Sequence, residues 1–475
     1  MNARKITIEP VTRIEGHARV TIHLNPDGTV DRTFFHVDEF RGLEKFCEGR
    51  PYFEMPQITQ RICGICPVSH HLASAKACDA VLGAEPPRPA RLLRELMHMA
   101  QFVQSHGMHF FHLAAPDLLL GFDADPAQRN VFGIVKANPQ LALKAVNLRR
   151  FGQQIIEILG GKRVHPNFVI PGGVNAPLAL KDRDAIAAEQ GQHLDFAQEA
   201  VNLAKQWLDG NSELARGFAA FPSGYMGLVD AQGGLQLYDG QVRLRDARGE
   251  LAAEFAPPAY LENIAEHVEA WSFLKFPYYR KQGWPQGAYR VGPLGRLNAA
   301  DKVGTPLADQ ELAEFRQSAG GKPVEGSLFY HYARMIELVY ALETMGRLLD
   351  DPDILSTDIR TSGSQPLNPR GIGIIEAPRG TLIHDYTVDE NGLLSRVNLI
   401  VATGHNNWAM NQAVAAVAKA YINGSRPTEG ILNRVEASIR CYDPCLSCST
   451  HAIGKMPLQL IVMSAGGAVL QQMAR

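Results

Sequence analysis

Apolar and polar residues alternate along the first 40 positions of the chain, which is typical of β-strands with one buried face. The alternation runs through residues 5–10, 17–24 and 29–40. Asn25-Pro26-Asp27-Gly28 interrupts it with residues that favour a turn. We therefore predict a β-hairpin region at the start of the chain.

Farther along, apolar residues recur every three or four positions, the spacing of amphipathic helices. This spacing predicts helices near residues 89–120, 139–159, 181–209, 328–349 and 408–423. Short alternating runs at 212–256 and a hairpin at 372–402, turning at 389–392, add strands. The pattern predicts an α+β fold that is predominantly helical, with a central long-helix bundle and small flanking β-sheets. We expect a single domain over 1–475, with a β-rich insertion near 212–256.

Composition narrows the possible partners. The 475 residues are 45% hydrophobic and 20% charged, with a formal net charge of −2 and a pI near 6.8. This balance argues against a nucleic acid or an anionic membrane as partner. No apolar run approaches the roughly 20 residues that span a bilayer. No signal-like segment opens the sequence, and the seven cysteines are an odd number, so we expect a reducing, cytoplasmic location.

Four of the cysteines form two Cys-x-x-Cys pairs, Cys63/Cys66 and Cys445/Cys448. In each pair the two-residue gap allows both sulfurs to face one metal, and four thiolates make a soft, strongly donating site. The spacing leaves structural zinc and a catalytic thiolate-bound metal open. Zinc ribbons, however, place their pairs about 15–20 residues apart, and these pairs lie near opposite ends of the chain. A redox-active pair fits less well, because it would open a helix in a βαβ unit.

The surrounding residues add a resemblance. Arg61-Ile-Cys63-Gly-Ile-Cys66-Pro-Val-Ser-His70 and Asp443-Pro-Cys445-Leu-Ser-Cys448-Ser-Thr-His451 resemble the signature segments of nickel–iron hydrogenase large subunits. Four further segments resemble motifs of the same family, in the same order: Val11–His17, Arg41–Glu44, His165-Pro166 with Gly172–Val174, and Glu376–Gly380. The ordered set runs from residue 11 to residue 451, and it is far more specific than either cysteine pair.

The resemblance implies a fold and a metal centre. Cys63 and Cys445 would bind nickel terminally, while Cys66 and Cys448 would bridge nickel to an iron that carries cyanide and carbon monoxide. Such ligands imply maturation proteins. The centre would be buried with a net negative charge, which requires fixed cations nearby. Arg379 fits that requirement, and Arg61 is a second candidate.

The implied reaction is the reversible heterolytic cleavage of dihydrogen. By the resemblance, three residues would take part in the reaction. Cys445 would accept the proton, Glu15 would pass it outward, and Arg379 would be the third catalytic residue. Glu44 and His451 would hold a magnesium ion, with the backbone carbonyl of Leu399 as a weaker candidate. His70 and His109 would lie next to the centre.

Two features qualify the resemblance. Many family members carry aspartate where Ser105 stands, so the charge above the metals is in doubt at that position. The family also loses its C-terminal segment to an endopeptidase after the last motif, which would make 452–475 a cleavable extension following His451.

The segment 66–76 looks most like the soluble, NAD-reducing bidirectional branch. The chain has too few further cysteines for an iron–sulfur relay and no GxGxxG motif. Electrons must therefore leave through a partner, an iron–sulfur small subunit that carries iron–sulfur clusters. The resemblance adds diaphorase subunits that carry FMN and bind NAD. NADP, a deazaflavin or ferredoxin are alternative acceptors. Two other classes of protein are alternatives: a non-catalytic relative of the complex I type, and a structural protein held together by zinc.

Overall fold

The computed structural model describes residues 5–363, 366–424 and 427–450 and the backbone of strands 459–463 and 469–474. Four long helices form its central body. The helices, in chain order, are α1 Leu43–Cys47, α2 Met55–Thr59, α3 Pro67–Leu82, α4 Arg88–Met108, α5 Ala115–Leu120, α6 Val131–Ala137, α7 Pro139–Gly160, α8 Leu180–Gly210, α9 Ser212–Gly217, α10 Tyr260–Asn263, α11 Gly292–Ala299, α12 Pro306–Gln317, α13 Phe329–Asp350, α14 Asn407–Tyr421, α15 Glu429–Arg440 and α16 Leu446–Ser449. Helix α4 packs against α7 and α13, and α13 packs against α8.

Small sheets flank this body. The strands are β1 Lys5–Ile8, β2 Arg19–Leu24, β3 Val30–His36, β4 Val169–Ile170, β5 Gly173–Val174, β6 Gly224–Val229, β7 Gln241–Arg245, β8 Leu251–Phe255, β9 Ile264–Val268, β10 Lys275–Tyr279, β11 Tyr289–Arg290, β12 Arg370–Ala377, β13 Gly380–Val388, β14 Leu394–Ile400, β15 Gln459–Met463 and β16 Val469–Ala474. The larger sheets have the orders β1-β2-β3, β11-β6-β7-β8 and β12-β13-β14. All their pairings are antiparallel except β11 with β6.

One helix–sheet contact positions the centre of the molecule. Helix α3 lies directly on strand β12. A Cβ at Gly373 would be only 2.0 Å from the carbonyl oxygen of Ala73, and one at Gly371 only 2.1 Å from that of Ala77. The two glycines allow this close approach because they have no side chain. The N-terminal end of α3, next to Cys66, is thereby held against the sheet that ends near Arg379.

The fold class predicted from the sequence is confirmed: the chain is mainly helical, with long packed helices and small sheets. The predicted helix at 89–120 contains a π-helical turn at His109–Ala114, between α4 and α5. The hairpin predicted at 372–402 is present as β13 and β14, which turn at 389–392, and a second turn at Pro378-Arg379 adds strand β12 on the other side of β13. Residues Ser212–Gly217 form helix α9, and the strands that follow begin at Gly224. Over the described part of the chain, no helix has the length and apolarity to cross a membrane.

Candidate metal centre

The two cysteine pairs meet in the interior. Their four Sγ atoms all lie within 4.8 Å of one another, and all four residues are buried. Cys63 Sγ is 3.2 Å from Cys445 Sγ, and Cys66 Sγ is 3.4 Å from Cys448 Sγ. Metal–thiolate bonds of about 2.3 Å would allow such sulfurs to share metal ions. The structure therefore brings together the four predicted ligands.

Local backbone geometry orients the first pair. Cys63 follows a 3₁₀ turn at Gln60–Ile62, and Cys66 caps α3, whose first residue is Pro67. The backbone N–H groups of Ile65 and Cys66 donate to Cys63 Sγ at 3.2 and 3.3 Å. These donors stabilise a thiolate at Cys63, since a hydrogen bond to the charged form favours that form.

Other backbone features orient the second pair, Cys445 and Cys448. Cys445 caps the short helix α16, and its N–H donates to the Thr403 hydroxyl at 2.9 Å. Asp443, two positions earlier, has a φ of +53°, which bends the chain sharply into the pair. The Sγ atoms of Cys445 and Cys448 are 3.0 Å apart.

The four thiols do not ionise alike. Hydrogen bonds from Cys445, Cys448 and Cys66 hold the pKa of Cys63 well below the usual thiol range. Burial raises the pKa of Cys445 and of Cys448 well above it. The protein alone thus favours a thiolate at Cys63 and protonated sulfurs at Cys445 and Cys448. A cation is the group that would allow the remaining sulfurs to lose their protons.

A small cavity of about 10 Å³ adjoins the sulfurs, which is room for about one water molecule. It is lined by Cys66, Ser69, His70, Ala377, Arg379, Leu382, Val401, Ala402, Thr403, Cys445 and Cys448. The Ser69 hydroxyl and Arg379 Nε are buried without a hydrogen-bond partner among the described residues. A structural zinc site is closed around its four ligands. Here, a small space and two free donors adjoin the sulfurs, which fits an open metal site with hydrogen-bond acceptors beside it.

Arg379 is the buried cation of the site. Its Nη2 donates to Asp443 Oδ1 at 3.0 Å, and its Nη1 donates to the Ser105 hydroxyl at 3.4 Å. Burial opposes its charge, yet Asp443 and the cysteine thiolates keep the pKa of Arg379 above its usual value. Burial raises the pKa of Asp443. Arg379 therefore places a permanent positive charge beside the sulfurs.

Glu15 reaches the second cysteine pair through the backbone. It forms an isolated parallel β-bridge with Cys445, and its carbonyl accepts from Leu446 N at 3.1 Å. Its carboxylate accepts from the N–H of Ser447 at 3.0 Å and also from the Ser447 hydroxyl. Glu15 is partly exposed. It thus connects the cysteine loop with the protein surface.

Two histidines also lie near the site. His70 Nε2 is 3.4 Å from Cys448 Sγ, and its Nδ1 is 3.1 Å from His384 Nε2. His109 bonds the Arg440 carbonyl at 2.8 Å and stacks on His331, with ring centroids 5.6 Å apart. His70 therefore contacts a predicted ligand, whereas His109 supports the segment that precedes the second pair.

The other predicted residues are Glu44, Leu399, His451 and Arg61. Glu44 accepts a hydrogen bond from Leu399 N at 2.7 Å, and burial raises the pKa of its carboxyl. Glu44 is therefore a neighbour of Leu399, whose backbone carbonyl is the weaker predicted magnesium ligand. His451 lies outside the described residues. Arg61 is exposed, and its carbonyl accepts from Arg41, so it adds no buried charge.

The sequence did not identify every residue of the site. Asp443 pairs with Arg379, and Thr403 fixes Cys445. Asp443 stands inside the second signature segment, so the motif could have pointed to it. Thr403 follows strand β14 by three positions and belongs to none of the motifs, so no local signal marks it.

Comparisons with known proteins agree on one family. A family model described as nickel-dependent hydrogenase matches residues 41–131 and 228–451, and a HoxL-like model matches residues 5–40. The NAD-reducing hydrogenase HoxS subunit beta of Cupriavidus necator is 42% identical over 487 residues, covering 100% of both chains. A chain of the F420-non-reducing hydrogenase of Methanothermobacter thermautotrophicus is 43% identical, covering 94% of this chain and 95% of that protein.

A solved structure is similar throughout. The crystal structure of an NAD+-reducing NiFe-hydrogenase in the H2-reduced state superposes with a TM-score of 0.92 at 44% identity. The match covers 95% of this chain and 100% of that one.

Proposed function

Since the chain belongs to the nickel-dependent hydrogenase family, we propose that it is the catalytic large subunit of a nickel–iron hydrogenase that cleaves dihydrogen reversibly and heterolytically. One observation carries the proposal. Four buried cysteine sulfurs lie within 4.8 Å of one another, beside a cavity and a buried arginine. Soft thiolates suit nickel and iron, and the cavity leaves room for a small substrate.

In this proposal Cys63 and Cys445 would hold nickel, and Cys66 and Cys448 would hold both nickel and iron. Once bound, the nickel–iron centre supplies the activation of dihydrogen. Cyanide on the iron would accept hydrogen bonds, and Ser69 Oγ and Arg379 Nε are the buried donors without partners, among the described residues, beside the cavity. Carbon monoxide suits the apolar wall formed by Ala377, Leu382 and Val401.

The protein's own part in the reaction is to take and move a proton. Cys445 Sγ accepts the proton, because a coordinated thiolate is deprotonated yet remains basic. Glu15 carries it outward, since it lies against Cys445 and is partly exposed. Arg379 stabilises the negative charge that remains on the thiolates. Burial of the cysteines keeps bulk water away from the transfer.

A magnesium ion is assigned to Glu44 and His451, with the Leu399 carbonyl as a weaker ligand. The support is that Glu44 and Leu399 are already in contact, in a partly buried place. Carboxylate and carbonyl oxygens are the ligands that hard divalent cations prefer.

The segment 452–475 is proposed to be a cleavable extension, removed after His451 by an endopeptidase during maturation. Two comparisons support a cleavage site after His451. The nickel-dependent hydrogenase model stops matching at residue 451. The NAD+-reducing enzyme of known structure is covered completely by 95% of this chain. Maturation proteins that install the iron ligands are part of the same proposal.

For the electron acceptor we propose NAD. Electrons would reach it through the clusters of an iron–sulfur small subunit, then through FMN-bearing diaphorase subunits, in the cytoplasm. The full-length match to the HoxS beta subunit supports this choice. An acceptor other than NAD is the second candidate, because the F420-non-reducing hydrogenase chain matches with nearly equal identity. NADP and ferredoxin are the chemical alternatives.

The test uses the assembled complex. We expect one nickel per large subunit by elemental analysis, with iron in excess of nickel because the partner subunits carry iron–sulfur clusters, and hydrogen-dependent reduction of NAD faster than of NADP or ferredoxin. Cys445→Ser should lose nickel and activity. Cys78→Ser is the matched control, since Cys78 is buried and donates to the Tyr52 carbonyl, a bond that serine can keep. Zinc in place of nickel in the purified complex would overturn the proposal, and rapid ferredoxin reduction without NAD reduction would overturn the acceptor.

A further inference from the structure

Arg379 stands at the tip of a tight hairpin. Ala377 at the end of β12 pairs with Gly380 at the start of β13, so Pro378 and Arg379 alone form the turn. Beyond this turn the side chain is held by Asp443 and by a long 3.4 Å contact with Ser105, as far as the described residues show. The position of the guanidinium therefore depends strongly on the backbone of the turn.

A second buried arginine holds that backbone. Arg296, on helix α11, donates from Nη1 to the carbonyl of Ala377 at 2.8 Å and from Nη2 to the carbonyl of Pro378 at 3.2 Å. These are the two carbonyls immediately before Arg379. A planar guanidinium offers several donors in a fixed fork, so one side chain can hold both carbonyls at once.

Arg296 is itself fixed by two buried carboxylates. Its Nε and Nη2 bind the two oxygens of Glu337 at 2.6 and 2.7 Å, and its Nη1 binds Glu376 Oε2 at 2.7 Å. All three side chains are fully buried. Glu376 also accepts from the Thr381 hydroxyl at 2.7 Å, across the same hairpin. The clamp therefore grips both strands that flank the turn.

Helix α11 also contacts the turn with its first residue. Gly292 has a φ of +79°, and a Cβ there would lie 2.9 Å from the Arg379 carbonyl oxygen. The helix thus approaches the turn at Gly292 and bonds to it from Arg296, one turn later. The two contacts fix both the distance and the direction of the hairpin tip.

Stability alone is a weak explanation for this cluster. Buried ion pairs contribute little to stability, because the desolvation penalty offsets their attraction. Geometric specificity is the better-supported use, and here every donor of Arg296 points to the turn or to an anchor of the turn.

We propose that Arg296 is a positioning residue for the hydrogenase reaction: with Glu337 and Glu376 as its anchors, it sets the location of Arg379 beside the metal centre. This rests on the proposed function, because it assigns Arg296 an effect on catalysis through Arg379. Arg296 does not contact the cysteines in the described structure and acts only through the turn.

The test is a double-mutant cycle in the assembled complex. Arg296→Lys keeps the positive charge but loses the forked set of donors that holds both carbonyls. A small misplacement of a catalytic group can cost about 100-fold in rate. We therefore expect kcat to fall about 10-fold to 100-fold. In an Arg379→Lys background the same change should lower kcat no further. The infrared bands of the iron-bound diatomic ligands should shift in the same direction for both single variants, at unchanged nickel content. Independent, multiplying effects or unshifted bands would overturn the proposal.

Two further variants keep the test decisive. Glu376→Gln weakens the clamp without changing volume, and it should show the same non-additivity if Arg296→Lys does not fold. Arg94→Lys is the matched control: Arg94 is also fully buried, binds a carboxylate (Asp79) and donates to the carbonyls of Ile170 and Gly173. It should leave the infrared bands unchanged. Equal band shifts in Arg94→Lys would overturn the assignment, whereas a wild-type complex without nickel would instead refute the proposed function.

Discussion

The guanidinium of Arg379 and the carboxylate of Asp443 form a buried ion pair, with Nη2 3.0 Å from Oδ1. Arg379 sits at the turn of a β-hairpin, and Asp443 lies two positions before Cys445. The pair therefore joins the sheet that holds the cation to the loop that carries Cys445. Ser105, where many relatives have aspartate, contributes only a hydroxyl to the same arginine. Asp443 is thus the carboxylate that orients Arg379.

Asp443→Asn tests that role. The amide oxygen can still accept from Arg379, but the charge is lost and the amide nitrogen replaces Oδ2, which is buried without a partner among the described residues. A buried unsatisfied donor costs about 1–3 kcal/mol of folding stability. We expect a folded, nickel-containing complex with kcat lowered about 10-fold, because one bond to a charged group is weakened by about 1.5 kcal/mol.

The measurement is hydrogen-dependent reduction of a viologen dye together with the melting temperature. Asp301→Asn is a suitable comparison, because Asp301 also pairs with arginines but is exposed and belongs to the β-rich region. If Asp443→Asn has full activity, Asp443 does not orient Arg379.

Glu15→Gln tests the proton route. Glutamine keeps the volume and one acceptor for the Ser447 N–H, but it cannot carry a proton. General acid–base groups typically contribute about 100-fold to 10,000-fold in rate, so we expect a loss in that range with unchanged nickel and iron. Hydrogen–deuterium exchange with solvent should fall as strongly as dye reduction, because both need the proton to leave the site.

Ser447→Ala is the companion variant. It removes the hydroxyl that donates to Glu15 but leaves the backbone donor in place. We expect a smaller loss than for Glu15→Gln, about 10-fold, since a hydrogen bond to a charged group is worth about 1.5 kcal/mol or more and the backbone donor still holds the carboxylate. Comparable losses in the two variants would mean that Glu15 acts as a structural acceptor and not as a proton carrier.

The sequence predicted helices that have one buried, apolar face and one exposed, polar face. Helix α8, predicted at 181–209, spans Leu180–Gly210, and the helix predicted at 139–159 spans Pro139–Gly160. Both have an exposed face, so the apolar spacing is visible. Helix α3 was not predicted as a full helix because nearly all of its residues are buried, and many of them are alanine, serine or histidine. Without a polar face there is no periodicity to detect.

The residues around the metal centre also divide into those that the sequence identified and those that it could not identify. The ordered motifs pointed to the cysteines, Glu15 and Arg379. The structure places the four sulfurs together with Arg379 beside them, and it pairs the backbone of Glu15 with Cys445. They could not point to Arg296, which lies 82 positions from Pro378 and outside every one of those motifs. Contacts between distant segments depend on the packing of buried helices and strands, and a single sequence carries no signal for them.

Gly373→Ala tests the contact that positions α3. The new Cβ would be 2.0 Å from the Ala73 carbonyl oxygen and 2.6 Å from Ala77 N, so α3 must move away from β12. Overpacking of this kind typically costs about 1–3 kcal/mol. Because Cys66 caps α3, we also expect less nickel per chain. Gly191→Ala in α8 is the control, since nothing lies within 4 Å of its added Cβ. Equal melting temperatures and nickel contents for the two variants would contradict the prediction.

His71 predicts a pH dependence of stability. Its Nδ1 donates to the Pro56 carbonyl at 2.8 Å, and its Nε2 accepts from Val169 N at 2.8 Å, so both nitrogens are used by the neutral ring. Burial lowers the pKa of His71 from 6.5 to about 4. Below pH 6.5 the unfolded chain therefore binds a proton that the folded chain does not. Stability is constant above this pH and falls as the pH drops from 6.5 to about 4, by up to about 3 kcal/mol for this group.

His71→Gln isolates this contribution, because the other buried histidines, His98 and His106 among them, remain in both proteins. At pH 7.5 the variant should be less stable, since it loses one of the two hydrogen bonds. As the pH falls to 4.5 the difference should shrink, because only the wild type loses the stability of a neutral His71. Melting temperatures measured at half-unit pH steps test this directly. If the two curves run parallel between pH 6.5 and 4.5, His71 does not titrate with the depressed pKa, and the acid sensitivity of the fold must come from other groups.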